Sequence, residues 1–171
     1  PYTAKKIAAE QIERWNGIAV IDAIKIPAPN SFIPQDFSLL EKVARTKPGQ
    51  LEQVGAVDLW HGQSSFEGPR GASYLQLNNA LVNSSPNNSA MAQLLVALLN
   101  DSLNSKAYPA TLVGFSQSVL SSRRGIQITT GGYNDKQERL LELVLTQLAD
   151  ADFSQERFSA LKQQLIKEWR N

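Results

Sequence analysis

The hydrophobic pattern changes period once within a single stretch, residues 124–148, and that change organises the reading of the rest. Ile126 and Ile128 alternate with Gln127 and Thr129, the period of two that a half-buried strand requires. Beyond Gly131, Gly132, Tyr133 and Asn134 the apolar positions become Leu140, Leu141, Val144, Leu145 and Leu148, which share one face of a helix. The spacing therefore predicts a strand, a tight turn at the glycine pair and an amphipathic helix. Asn134 has the chemistry of an N-cap, and Gln137 stands three residues on as in a capping box, so the helix start is specified locally.

Extended along the chain, the same reasoning predicts a short helix over residues 3–15, with Ile7, Ala8, Ile12 and Trp15 near one face and Gly17 as its stop. Residues 54–61 predict a short strand. After the turn chemistry of GQSSFEGPRG, residues 74–82 predict a second, with Leu75, Leu77 and Leu81 on one face. The loop NSSPNNS supplies caps for a helix over residues 90–103. Its apolar arc, Met91, Leu94, Leu95, Leu98, Leu99 and Leu103, is wide enough for deep burial. A shorter helix follows over residues 106–113, with Pro109 tolerated in its first turn.

Residues 115–120 read as a strand joined through SSRRG, a hairpin turn, to the opening stretch. Ser154 caps a last helix over residues 155–170. Phe153 and Phe158 are placed as a hydrophobic staple, and Phe158, Leu161, Leu165 and Trp169 line one face. The order strand-strand-helix-helix-strand-strand-helix-helix implies an α+β fold, an antiparallel or mixed sheet with helices packed on one face. The other sheet face is left for something else.

Residues 22–50 interrupt this pattern. Pro27, Pro29, Pro34 and Pro48 each remove a backbone donor and push the preceding residue toward extended conformations. Phe32, Ile33, Phe37, Leu39 and Leu40 need cover, so the stretch reads as an extended connector that packs along a surface.

Composition narrows the function classes. With 171 residues, 42% apolar and 19% charged, the chain suits one ordinary domain with an extension. Seventeen basic and sixteen acidic side chains leave a net charge of +1 without a basic cluster, so neither nucleic acid nor a membrane surface is expected as a partner. The longest apolar run, residues 91–99, is too short to span a bilayer. No signal peptide opens the chain, which begins at Pro1 and reads as a processed or excised segment.

Catalytic chemistry is mostly missing from the pattern. The chain lacks cysteine, which removes thiol nucleophiles and thiolate metal ligands. His61 is the single histidine, so no two-histidine zinc site and no H-E-x-x-H motif or its inverse can be built. His61 itself reads as a partly buried or hydrogen-bonded strand residue, because nothing near it supplies a nucleophile or an orienting group. The glycine pair lacks the spacing of a phosphate-binding loop. Asp150 with Asp152, Glu138 with Glu142, and Glu10 with Glu13 fall on loops and helix surfaces, where solvation is the default. Arg123 and Arg124 sit in a hairpin tip. No catalytic or metal-binding residue is assigned. Tyr133, Asn134 and Lys136 are the candidates for substrate contact, beside the last strand, against the simpler reading of a turn and a cap.

Five segments, NSFIPQDFSLL, DLWH, LLNDSLNSKAYPATLVGFSQSV, RGIQITTGGYNDKQ and ERFSALKQQLIKEWRN, come in an order that resembles the pitrilysin/insulysin family of inverted-motif zinc metallopeptidases. The pairing of an F-I-P-x-D-F segment with a later G-Y-N-D-K segment is its most specific mark. The resemblance implies that residues 1–22 are the tail of a preceding domain and residues 23–50 the connector between two halves. Residues 51–171 are then the first part of the third, non-catalytic domain, cut short at its C-terminal end. It implies a parent enzyme built as two half-shells around a peptide-trapping chamber, with zinc and the general-base glutamate in the first domain and no cofactor in this chain. The implied partners are peptide substrates and the remaining domains of the same protein. A periplasmic location follows from bacterial members, with the cytoplasm as the alternative, and apolar surface left open favours self-association of the piece alone. Two other readings stay open: a stand-alone peptide-binding module using a strand edge, and an inactive partner subunit of a two-chain peptidase.

Overall fold

A computed structural model describes residues 4–18, 28–41 and 47–170. Ten elements follow in order: α1 (Ala9–Asn16), β1 (Gly49–Val54), β2 (Val57–His61), β3 (Arg70–Asn78), α2 (Pro86–Lys106), α3 (Tyr108–Leu112), β4 (Ser116–Ser122), β5 (Gly125–Tyr133), α4 (Asn134–Ala149) and α5 (Gln155–Arg170). The fold is α+β, and the described strands pair only antiparallel. β1 and β2 form a separate hairpin, while β3, β5 and β4 form a sheet with β5 in the middle.

The period-two pattern of β5 explains its central place. Ile128 is opposite Leu75 of β3 on one side and Val119 of β4 on the other, giving an apolar row across the inner face. Val96, Leu99 and Leu103 of α2 and Val144 of α4 close over that row. Ile128 and Leu103 have no exposed surface. A second cluster gathers Phe32, Ala107, Ala110, Phe115 and Leu140 beside the first. Side chains alternate across a strand, so Ala72, Tyr74, Gln76, Gln127, Thr129, Ser116, Ser118 and Leu120 occupy the opposite face, where Tyr74 and Leu120 are exposed.

Edge strand β4 is tied to α2 by Asn100. Its Nδ2 donates to the Val119 carbonyl at 2.8 Å, and its Oδ1 accepts the Val119 N–H at 3.2 Å. Both backbone groups that this edge residue turns away from β5 are thereby satisfied. Helix α2 starts inside the predicted loop, with Pro86 in its first turn and the Ser85 hydroxyl accepting the Asn88 N–H. It begins four residues earlier than the apolar pattern suggests, and Met91 points to solvent. The Ser122 to Gly125 hairpin and the Ser154 cap form as predicted, the latter accepting the Arg157 N–H at 3.3 Å.

Several expectations are corrected. Residues 54–61 are not one strand: the chain turns at Gly55, whose φ of +60° suits glycine, and β1 begins at Gly49 inside the predicted connector. The second strand runs Arg70–Asn78 rather than 74–82, and Leu81 lies beyond it, exposed. Helix α1 is shorter than predicted, and Ile7, Ile12 and Trp15 are exposed. The start of the predicted first helix at residue 3, most of the connector's first part and residues 42–46 lie outside the described residues.

The largest correction concerns the glycine pair. No tight turn occurs there: β5 continues through Gly131 and Gly132 to Tyr133, paired with β3 as far as Arg70, and α4 begins at the next residue. Gly132 is required for space, since a Cβ there would lie 2.1 Å from the Phe115 ring. Nor does the capping box close. Tyr133 occupies the cap position without a side-chain bond; the Asn134 N–H donates to the Pro69 carbonyl at 3.0 Å, and Gln137 Nε2 donates to the Gly71 carbonyl at 2.6 Å. The helix start is satisfied by the neighbouring strand instead of by its own side chains.

Leu103→Ala removes a side chain with no exposed surface from between the helices and the sheet. It is expected to cost about 2–5 kcal/mol, read as a lower urea midpoint with an unchanged slope.

Candidate functional site

The corner where β5 passes into α4 is where the connector meets the folded domain. From the connector, Asn30 Nδ2 donates to the Pro109 carbonyl at 2.7 Å, and Asn30 Oδ1 accepts the Phe32 N–H at 3.0 Å. Phe32 is buried, its ring 6.2 Å from that of Phe115. Further along, the Asp135 carboxylate accepts the N–H groups of Gln35 at 2.7 Å and Asp36 at 3.2 Å. Phe37 then meets Tyr133 edge-on, with ring centroids 5.4 Å apart. Of the apolar residues in this segment expected to need cover, Phe32 is buried, while Ile33, Phe37, Leu39 and Leu40 are exposed.

Tyr133 is the hub of this corner. Its ring also faces Phe115 at 6.2 Å and lies under the Arg70 guanidinium at 4.7 Å. Arg70 is fixed in turn by donating to the Gly114 carbonyl at 2.7 Å. The three candidate residues, Tyr133, Asn134 and Lys136, are brought together here, all partly exposed. Each already has a partner within the chain: the aromatic group for Tyr133, Pro69 for the Asn134 backbone, and Asp135 for Lys136, whose Nζ is 3.2 Å from the carboxylate. Sequence reasoning missed Asp135 and Arg70. Asp135 lies inside the G-Y-N-D-K run, and its role depends on a connector residue one hundred positions away.

Electrostatics at the corner favour the charged carboxylates. The Gln35 N–H holds the Asp135 carboxyl below the usual carboxylate range against the opposing effect of desolvation, helped by the Asp36 N–H and the Lys136 ammonium. Asp36 is lowered by the Ser38 N–H and hydroxyl, while Asp135 nearby works against it.

A shallow groove of about 430 Å³ beside the anchor is lined by Phe32, Lys106, Arg139, Glu142, Leu143 and Thr146. The Arg139 guanidinium stands over the Phe32 ring, and Lys106 bonds the buried Gln147 amide. None of this makes a nucleophile with a base. Among the described residues no group of three or more His, Cys, Asp or Glu side chains could hold a metal ion, and His61 is exposed on the β1–β2 hairpin. These residues do not fit a zinc site, and no chemical step is assigned to one here. Among the described residues no helix is long and apolar enough to cross a membrane.

Because docking lowers the Asp135 pKa, its stabilisation is present above the free-carboxylate value and is lost as pH falls through the docked value. In an NMR titration the Gln35 and Asp36 amide resonances should therefore move together, with a midpoint below that of an unfolded aspartate. A midpoint at or above that of an unfolded aspartate contradicts the bonding described.

Comparisons with known proteins agree on one relationship. The chain is 33% identical to the insulin-degrading enzyme-like 1, peroxisomal protein of Arabidopsis thaliana, over 99% of its own length and 18% of that protein. It is 30% identical to the insulin-degrading enzyme of Homo sapiens, over 99% of its length and 17% of that protein. The crystal structure of pitrilysin superposes with a TM-score of 0.78 at 22% identity, covering 98% of this chain and 18% of that one, a likeness of fold. The chain therefore spans less than a fifth of these relatives. With the family profile described as the middle or third domain of peptidase M16 matching residues 1–171 throughout, the chain belongs to the peptidase M16 family as that domain.

Proposed function

We propose that this chain is a non-catalytic part of a larger zinc metalloendopeptidase, where its open sheet face forms a section of a peptide-holding chamber wall. The observation that carries the reading is the chemistry of that face. Its outward positions, from Ala72, Tyr74 and Gln76 across Gln127 and Thr129 to Ser116, Ser118 and Leu120, are uncharged, with Arg70, held over the Tyr133 ring, as the charged residue at its rim. Such a surface offers hydrogen bonds and apolar area to an extended peptide but no acid, base or metal ligand. The zinc and the general base belong, in this reading, to another domain of the longer protein, and the connector tethers that part to this one. Selectivity arises from shape and excluded volume.

Within the same proposal Tyr133, Asn134 and Lys136 contact substrate only through what their internal bonds leave open, foremost the Lys136 ammonium and the Asn134 side chain. Peptide substrates and the remaining domains of the parent chain are the partners. Exposed Leu51, Leu59, Trp60 and Phe66 are surfaces such domains would cover, and self-association is their alternative cover in the isolated chain.

The purified 171-residue chain is expected to hydrolyse no quenched fluorescent peptide in a chelator-sensitive way, while the longer natural chain containing it does so. Chelator-sensitive hydrolysis by the short chain contradicts the proposal. Saturable binding of an extended peptide by the short chain, weakened by Lys136→Ala, supports the three contact residues. Such binding beside a natural reading frame no longer than this chain instead marks a stand-alone module.

A further inference from the structure

The two edges of the three-stranded sheet are not alike. At β4 the edge is closed, because Asn100 of α2 holds both the N–H and the carbonyl of Val119. At β3 the edge is open. Which of its backbone groups face outward follows from the bonds at its two ends: the Asn79 N–H donates to the Arg124 carbonyl, and the Asn134 N–H donates to the Pro69 carbonyl. In an antiparallel pair, residues that bond to the partner strand alternate with residues that turn away from it. Odd-numbered residues of β3 therefore bond to β5, and Ala72, Tyr74 and Gln76 turn their N–H and carbonyl groups outward. Among the described residues these groups have no partner.

The same edge lacks the charges and prolines that discourage strand pairing. From Gly71 to Asn78 it has neither, and Ala72, Tyr74 and Gln76 are exposed, Tyr74 to 72%. It is also self-complementary. Two copies of Arg70–Asn78 laid antiparallel about a two-fold axis at Tyr74 overlap along their full length, with Tyr74 opposite Tyr74, Ala72 opposite Gln76 and Arg70 opposite Asn78. No like charges meet, and the outward N–H groups of one copy face the outward carbonyls of the other.

We propose that the β3 edge is a pairing surface for a second copy of this chain, giving a dimer with one continuous antiparallel sheet in the order β4-β5-β3-β3-β5-β4. Its outer edges are then the two β4 strands, which Asn100 closes, so assembly stops at two. The pairing is independent of what the outward face of the sheet holds.

Sedimentation equilibrium of the 171-residue chain, from micromolar to millimolar concentration, should fit monomer and dimer with nothing larger. Amide exchange at Ala72, Tyr74 and Gln76 should slow as the dimer forms. Tyr74→Pro removes the central outward N–H of each copy without taking a bond from β5, and is expected to raise the dissociation constant about ten-fold or more. Tyr74→Lys keeps every backbone bond and sets like charges face to face at the axis, weakening the dimer in a way that added salt relieves. It decides the matter if Tyr74→Pro unfolds the sheet. A chain that stays monomeric throughout overturns the proposal. So does a dimer indifferent to both Tyr74 variants; its loss on Leu59→Ser with Trp60→Ser marks the apolar hairpin as the interface instead. Protection of the three amides in the dilute monomer, or only on adding an extended peptide, gives the edge another occupant and equally overturns it. Species larger than the dimer overturn the closure at β4. None of these readouts involves hydrolysis, so they stand apart from the chamber-wall reading.

Discussion

The structure depends on one continuous piece of backbone, the passage of β5 into α4 with no intervening loop. Ile128 fixes the strand by packing between Leu75, Val119 and helices α2 and α4, and the helix is fixed by Val144 in the same cluster and by Leu140 in the second. The corner between them has no freedom to adjust. Its first helical donor, the Asn134 N–H, is satisfied by the neighbouring Pro69 carbonyl, and no side-chain cap of the helix's own is formed. A rigid helix start with an acidic residue in its first turn is a natural place to receive backbone N–H groups, and the connector supplies them.

That arrangement makes the connector part of the domain. Its buried phenylalanine completes the second core cluster, so Phe32 contributes to folding. Opposite the helices, the sheet presents a face that is uncharged apart from Arg70 at its rim. A domain organised this way offers surface and geometry, and the chain is the middle or third domain of peptidase M16.

Much of this was legible in the residues. Periodicity located the helices and the central strand, because burial on one side of a regular element leaves its period in the sequence. Prolines with interleaved aromatics marked residues 28–41 as free of helix and strand, although of the apolar residues expected to need cover there Phe32 alone is buried. What failed was local rules applied where a distant partner decides the outcome. Gly131 and Gly132 read as a turn because glycine permits one; they are extended because β3 pairs alongside and Phe115 occupies the space of a side chain. Asn134 and Gln137 read as a capping box, and their bonds go to Pro69 and Gly71 instead. Asp135 was invisible for the same reason, since a carboxylate beside Lys136 on a helix surface looks like an ordinary exposed pair until Gln35 arrives.

Whether the connector is built into the folded domain is tested most directly in solution by the nuclear Overhauser effect between the ring protons of Phe37 and Tyr133. Ring centroids 5.4 Å apart in edge-on contact predict a strong cross-peak in the 171-residue chain. Its absence, with the β3–β5 cross-peaks intact, would contradict a docked connector.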